Sequence, residues 1–151
     1  MSFMTGRNIR VHAICVALPD AGDGWSGVLL RGPSGAGKSD LVLRLIDGGA
    51  RLVADDQTEL RCVDGVLTAC APQSLAGKIE VRGVGIMELP YLDVVSLVLV
   101  CDLTGQSRSS VFPVRRLFLS RMSNCRCSPW RHSRRLRRRS FDLASRLHVT
   151  V

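Results

Sequence analysis

Gly27-Val28-Leu29-Leu30-Arg31 runs directly into Gly32-Pro33-Ser34-Gly35-Ala36-Gly37-Lys38-Ser39, and this junction decides the fold. A short apolar run reads as a strand. The Gly-rich loop then closes on Lys-Ser, and Leu41, Val42, Leu45 and Ile46 recur at helical spacing until Gly48-Gly49 stops the pattern. The loop is a complete match to G-x-x-x-x-G-K-[ST] in its proper setting, strand before and helix after. Glycines at 32, 35 and 37 permit backbone shapes that side chains forbid. They let successive N–H groups face phosphate oxygens at a helix N-terminus. Lys38 can neutralise terminal phosphates and the Ser39 hydroxyl can ligate Mg²⁺. Gly32, Pro33, Ser34, Gly35, Ala36, Gly37, Lys38 and Ser39 are therefore the expected nucleotide-binding residues.

Outward from the loop, residues 8–18 alternate and are rich in β-branched side chains, which predicts one strand closed by the turn residues 19–24. Residues 51–54 predict a buried strand ending at Asp55-Asp56. Thr58–Cys62 and Val66–Cys70 flank Asp64-Gly65, a hairpin signal. Further strands are expected at 79–81 and 94–100. The alternation of strands with a helix gives an α/β domain with a mixed sheet.

The whole chain of 151 residues suffices for one core. It carries no apolar run near the roughly 20 residues that cross a bilayer, and no secretory pattern, so no membrane role and a cytoplasmic location are expected. The six cysteines fall mostly in apolar, strand-like runs and are expected to be reduced. The formal charge of +8 is unevenly spread. Residues 1–100 hold 9 basic and 11 acidic side chains, a balance of −2, whereas residues 101–151 hold 12 Arg and 2 Asp, a balance of +10.

A phosphate loop needs an acid for its metal. Asp102 follows the apolar run 98–101, and Asp55-Asp56 follows 52–54, so both places qualify. Adjacent carboxylates repel, and the Asp55-Asp56 pair implies a metal or cation beside it. One can hold the metal while the other takes a proton from an incoming hydroxyl.

Three blocks carry a resemblance: the loop with Asp40-Leu41, then Arg51-Leu52-Val53-Ala54-Asp55-Asp56, then Ile79-Glu80-Val81-Arg82-Gly83-Val84-Gly85-Ile86. Together they resemble the bacterial HPr kinase/phosphorylase family over about residues 8–103, in the compact form of alphaproteobacteria that has only the catalytic domain. The resemblance implies a P-loop domain of the phosphoenolpyruvate-carboxykinase-like type. It also implies an ATP-dependent kinase that phosphorylates a serine of HPr, the phosphocarrier of the phosphotransferase system, with reverse phosphorolysis in many members. ATP and Mg²⁺ are the implied cofactors and a hexamer the implied assembly. Carried over by motif, Lys38 would hold the phosphates. Asp56 would be the base in the forward direction and the acid in reverse, with His12 close by. Ser39, Glu80 and Asp55 would serve the metal. Asp102 would then be structural.

The resemblance lapses after residue 103. The family's later active-site arginine and Pro-rich segment have no counterpart, and Pro113-Val114-Arg115-Arg116 comes too soon after Glu80 to supply one. A domain over 1–103, cut short at its C-terminal end, is the expectation. Residues 104–151 read as a basic arm, a disordered tail or, the preferred reading, a stretch translated out of frame, because a GC-rich gene read so yields Arg- and Ser-rich sequence without Lys. With Trp130 nearly alone, the stretch lacks the aromatic platforms of nucleic-acid readers.

Overall fold

The computed structural model describes residues 8–103 together with the backbone of 110–113. The expectations set on residues 104–109 and 114–151 lie outside the described residues. In chain order the elements are β1 (Ile9–His12), β2 (Ile14–Pro19), β3 (Trp25–Arg31), α1 (Lys38–Asp47), β4 (Arg51–Ala54), β5 (Gln57–Val63), β6 (Val66–Cys70), β7 (Lys78–Val81), β8 (Gly85–Glu88), β9 (Val94–Asp102) and β10 (Ser110–Pro113).

The first expected strand is divided in two at Ala13. Both backbone groups of this residue are taken by the β4–β5 corner: its N–H donates to the Asp56 carbonyl at 3.0 Å, and its carbonyl accepts the Thr58 hydroxyl at 2.8 Å. The chain thereby changes partners, with β1 pairing β5 and β2 pairing β3 and β4. Thr58 and Ala13 are fully buried, so their hydrogen bond has no water to replace it. Replacing the hydroxyl by a methyl in Thr58→Val is expected to cost about 1–3 kcal/mol, because a buried carbonyl is left unpaired. Urea unfolding checks this.

Eight strands form one mixed sheet in the order β1-β5-β6-β9-β3-β2-β4, with β10 on β9 as well. β3 and β9 run parallel, with Arg31 opposite Asp102 at their C-terminal ends. The β5–β6 hairpin turns at Asp64-Gly65, both at positive φ (49° and 77°), as the dipeptide predicts. The second sheet, β7 with β8, was legible only in its first half. Its turn contains Gly83 at φ 79°, with Gly85 at φ 108° at the start of β8. A Cβ there would meet nothing within 4 Å, so turn geometry rather than close approach explains these glycines.

Alternation along the strands sorts the core into two layers. Ile14, Val16, Val28, Leu30, Leu99 and Cys101 face α1 with Val42 and Ile79. Cys15, Ala17, Leu29, Val53 and Val100 face the other way and meet Leu60, Leu67 and Ala69 from β5 and β6. The α/β, mixed-sheet class expected from the sequence is the one observed. None of the helices among the described residues is long and apolar enough to cross a membrane. Cys15, Cys62, Cys70 and Cys101 are free thiols.

Candidate active site

The loop between β3 and α1 is held from both sides. At its entry, Leu103 N–H donates to the Arg31 carbonyl at 2.7 Å, and a Cβ on Gly32 would collide with the Leu103 carbonyl oxygen. Gly32 is therefore a close-approach position. At its exit, Gly37 caps α1 with φ 85° and no side-chain cap, and Leu41 N–H is bonded to the Gly37 carbonyl at 3.0 Å. By helix geometry the amides of Lys38, Ser39 and Asp40 then lack partners within the helix. Lys38 is 9% exposed, and its Nζ donates to the carbonyls of Gly32 at 2.8 Å and Pro33 at 3.0 Å. The ammonium is thus fixed under the loop before any ligand arrives.

Opposite the loop, β4 continues into β5 in the same direction through a kink over Asp55–Gln57, in which Gln57 N–H donates to the Asp55 carbonyl at 2.6 Å. Asp56 sits at its centre with φ 58°, a left-handed conformation uncommon outside glycine. The β1–β5 register brings His12 to this kink, and His12 Nε2 lies 2.7 Å from Asp56 Oδ1. Both side chains stay open to solvent, 65% and 62% exposed, so the carboxylate is held but reachable.

Asp55 points elsewhere. Its Oδ2 accepts the Glu80 backbone N–H at 2.8 Å, tying the corner to β7. Burial pushes the Asp55 carboxyl above its ordinary range, with the Asp56 and Glu80 charges adding to the shift and backbone N–H donors opposing it. An acid whose pKa is raised by folding destabilises the folded chain once it ionises, and the penalty fades as pH falls through the raised value. Asp55→Asn is accordingly expected to raise the melting temperature of the ligand-free chain at pH 7, with the gain shrinking towards pH 4.

The same cleft, about 630 Å³, is lined by His12, Ser34, Lys38, Ser39, Asp55, Asp56, Glu80 and Arg82 among others. Every catalytic and metal residue expected from the sequence is among them, as are Ser34, Gly35 and Gly37 of the loop. Ser39, Asp55 and Glu80 offer oxygen donors alone, the kind Mg²⁺ prefers. Among the described residues no group of three His, Cys, Asp or Glu forms a metal cage. A full shell would need water and phosphate oxygens, which Mg²⁺ accepts readily.

Asp102 is not a lining residue. Its two oxygens accept Arg31 Nε and a terminal guanidinium nitrogen, each at 2.6 Å. Strand parity puts both side chains on the face away from α1, since their neighbours Leu30 and Cys101 face it. Sequence reasoning missed Arg82, whose terminal nitrogen donates to Ser34 Oγ at 2.9 Å across 48 residues. The turn chemistry of Gly83 and Gly85 was the available signal for it.

The profile of the HPr Serine kinase C-terminal domain matches residues 5–94. The chain is 48% identical over 73 residues to an HPr kinase/phosphorylase of Clostridium novyi, covering 48% of this chain and 24% of that protein. It is 40% identical over 90 residues to one of Clostridium acetobutylicum, covering 60% of this chain and 28% of that protein. The match thus spans about a quarter of the length of these relatives. Among solved structures, the Hpr(Ser) kinase/phosphatase from Coxiella burnetii superposes with a TM-score of 0.56 at 30% identity, covering 62% of this chain and 64% of that one. With the profile covering 90 of 151 residues and the loop, the aspartate pair and the Glu80 hairpin meeting in one cleft, the chain belongs to the HPr serine kinase C-terminal domain family.

Proposed function

We propose that the chain transfers the terminal phosphoryl group of ATP to a serine hydroxyl of an HPr-type phosphocarrier protein in the cytoplasm. The observation that carries this reading is the position of Asp56. Its accessible carboxylate, 2.7 Å from His12 Nε2, lines the same cleft as the anchored Lys38 and Ser39. A carboxylate so placed can take the proton of an incoming hydroxyl.

In the forward direction the Asp56 carboxylate accepts the serine proton as the serine oxygen bonds to phosphorus and the bond to ADP breaks. The His12 N–H holds that carboxylate in orientation. Lys38 offsets charge on the phosphates, and the loop amides orient them. In phosphorolysis inorganic phosphate attacks the phosphoserine phosphorus, pyrophosphate forms, and protonated Asp56 gives its proton to the departing serine oxygen. Mg²⁺ held by Ser39 with Asp55 and Glu80 would neutralise charge on the transferring group.

Incubation of the chain with labelled ATP, Mg²⁺ and HPr tests the reading. Phosphoserine on HPr is expected from the wild type and not from Asp56→Asn. Asp102→Asn should retain transfer within about fivefold, the most that a part-exposed ion pair supplies. Loss of nucleotide hydrolysis chiefly in Asp102→Asn would point to an ordinary P-loop NTPase. Nucleotide binding without any transfer would point to a regulator.

A further inference from the structure

We propose that Arg82 is a phosphate-binding residue, which exchanges its contact with Ser34 for the phosphates of the bound nucleotide. The inference rests on the nucleotide reading of the loop and adds a second cation to it, delivered from the β7–β8 hairpin.

Four observations lead there. The cleft is lined by four carboxylates, those of Asp40, Asp55, Asp56 and Glu80. Its Lys and Arg side chains among the described residues are Lys38 and Arg82. A polyphosphate entering this field needs more positive charge than one anchored ammonium provides. Lys38 is buried against two carbonyls, whereas Arg82 is exposed and can move.

The base of the hairpin is fixed while its tip is not. Ile79 is fully buried, Val81 and Met87 pack on the same core layer, and the Glu80 amide is tied to Asp55. Beyond them, Val84 is 70% exposed and Ile86 73%. Arg82 stands at the border between these parts, where its stem can swing without disturbing the core.

The present partner of Arg82 is a weak one. A guanidinium presents a planar fork of donors that matches a phosphate in two-point fashion, and a neutral hydroxyl uses only one of them. Ser34 belongs to the loop that would receive the phosphates, so the guanidinium already waits at the position where anionic oxygens arrive. Release from Ser34 forfeits one neutral hydrogen bond, and capture of phosphate gains charge-assisted ones.

Equilibrium binding of ATP and of adenosine to the wild type, Arg82→Gln and Arg82→Lys tests this. Gln keeps an N–H donor for Ser34 but has no charge; Lys keeps charge but has no fork. Arg82→Gln is expected to raise the Kd for ATP roughly tenfold while leaving adenosine unchanged, and Arg82→Lys to recover part of the loss. An ATP Kd for Arg82→Gln within twofold of wild type overturns the inference. So does an equal loss for adenosine, which would mean that the hairpin had merely shifted. A wild-type chain that binds no ATP removes the nucleotide reading itself, and Arg82 with it.

Discussion

Asp56→Asn is expected to lower transfer to HPr by about 10²–10⁴-fold, the usual contribution of a positioned general base, while ATP affinity stays within about twofold. The substitution is nearly isosteric. Asn tolerates the left-handed backbone at least as well as Asp, so the kink at φ 58° survives. An amide oxygen can still accept from His12 Nε2, and only the capacity to take a proton is lost. Asp56→Gly separates chemistry from strain. Glycine adopts positive φ freely, so the Gly variant should fold at least as stably as wild type and yet be as inactive as the Asn variant. Asp56→Ala, which retains the strain and lacks the carboxylate, should be about 1–2 kcal/mol less stable than the Gly variant. Thermal unfolding beside a transfer assay reads all three. A Gly variant with near-normal transfer would remove the base role from Asp56.

Lys38→Met carries the other large effect. Met preserves the buried aliphatic stem and deletes the ammonium that bridges the Gly32 and Pro33 carbonyls. Two charge-assisted hydrogen bonds that shape the loop disappear, along with the cation facing the phosphates. A charge-assisted hydrogen bond from the ammonium to a phosphate is worth about 1.5–3 kcal/mol, so its loss is expected to lower ATP affinity by about 10²-fold. Adenosine binding should hardly change. The loss is electrostatic and should therefore diminish as ionic strength rises, because salt weakens the wild-type interaction and has less to weaken in the variant. Titration calorimetry at two salt concentrations checks both points.

These two residues were legible for different reasons. The loop and its helix are local: strand, glycines, Lys-Ser and a 3.6-residue apolar period lie within about twenty consecutive positions, and each reinforces the others. Asp55-Asp56 was marked by two carboxylates at a strand end, and the resemblance divided their roles. The rest of the site depends on contacts that sequence spacing cannot encode. The run 8–18 has one continuous apolar alternation, and its break at Ala13 is imposed by Thr58 and Asp56, more than 40 residues away. The β1–β5 register, with His12 opposite Gln57, sets His12 beside Asp56. Asp102 sits at the end of an apolar strand, as a metal acid would. Only strand parity and the Arg31 fork, fixed by the parallel pairing of β3 with β9, reveal that it faces away. The Glu80 block shows a strand only at 79–81 in the sequence, and pairing of Glu80 with Ile86 across the turn makes it a hairpin that carries Arg82 to Ser34.

The central claim is that one cleft joins the Gly32–Ser39 loop to an acceptor-facing Asp56. Mass spectrometry of HPr after incubation with the chain, ATP and Mg²⁺ measures it most directly. Stoichiometric phosphorylation of one serine, absent with Asp56→Asn under saturating ATP, is the predicted result. An unmodified HPr in the presence of a folded chain that binds ATP would contradict the account.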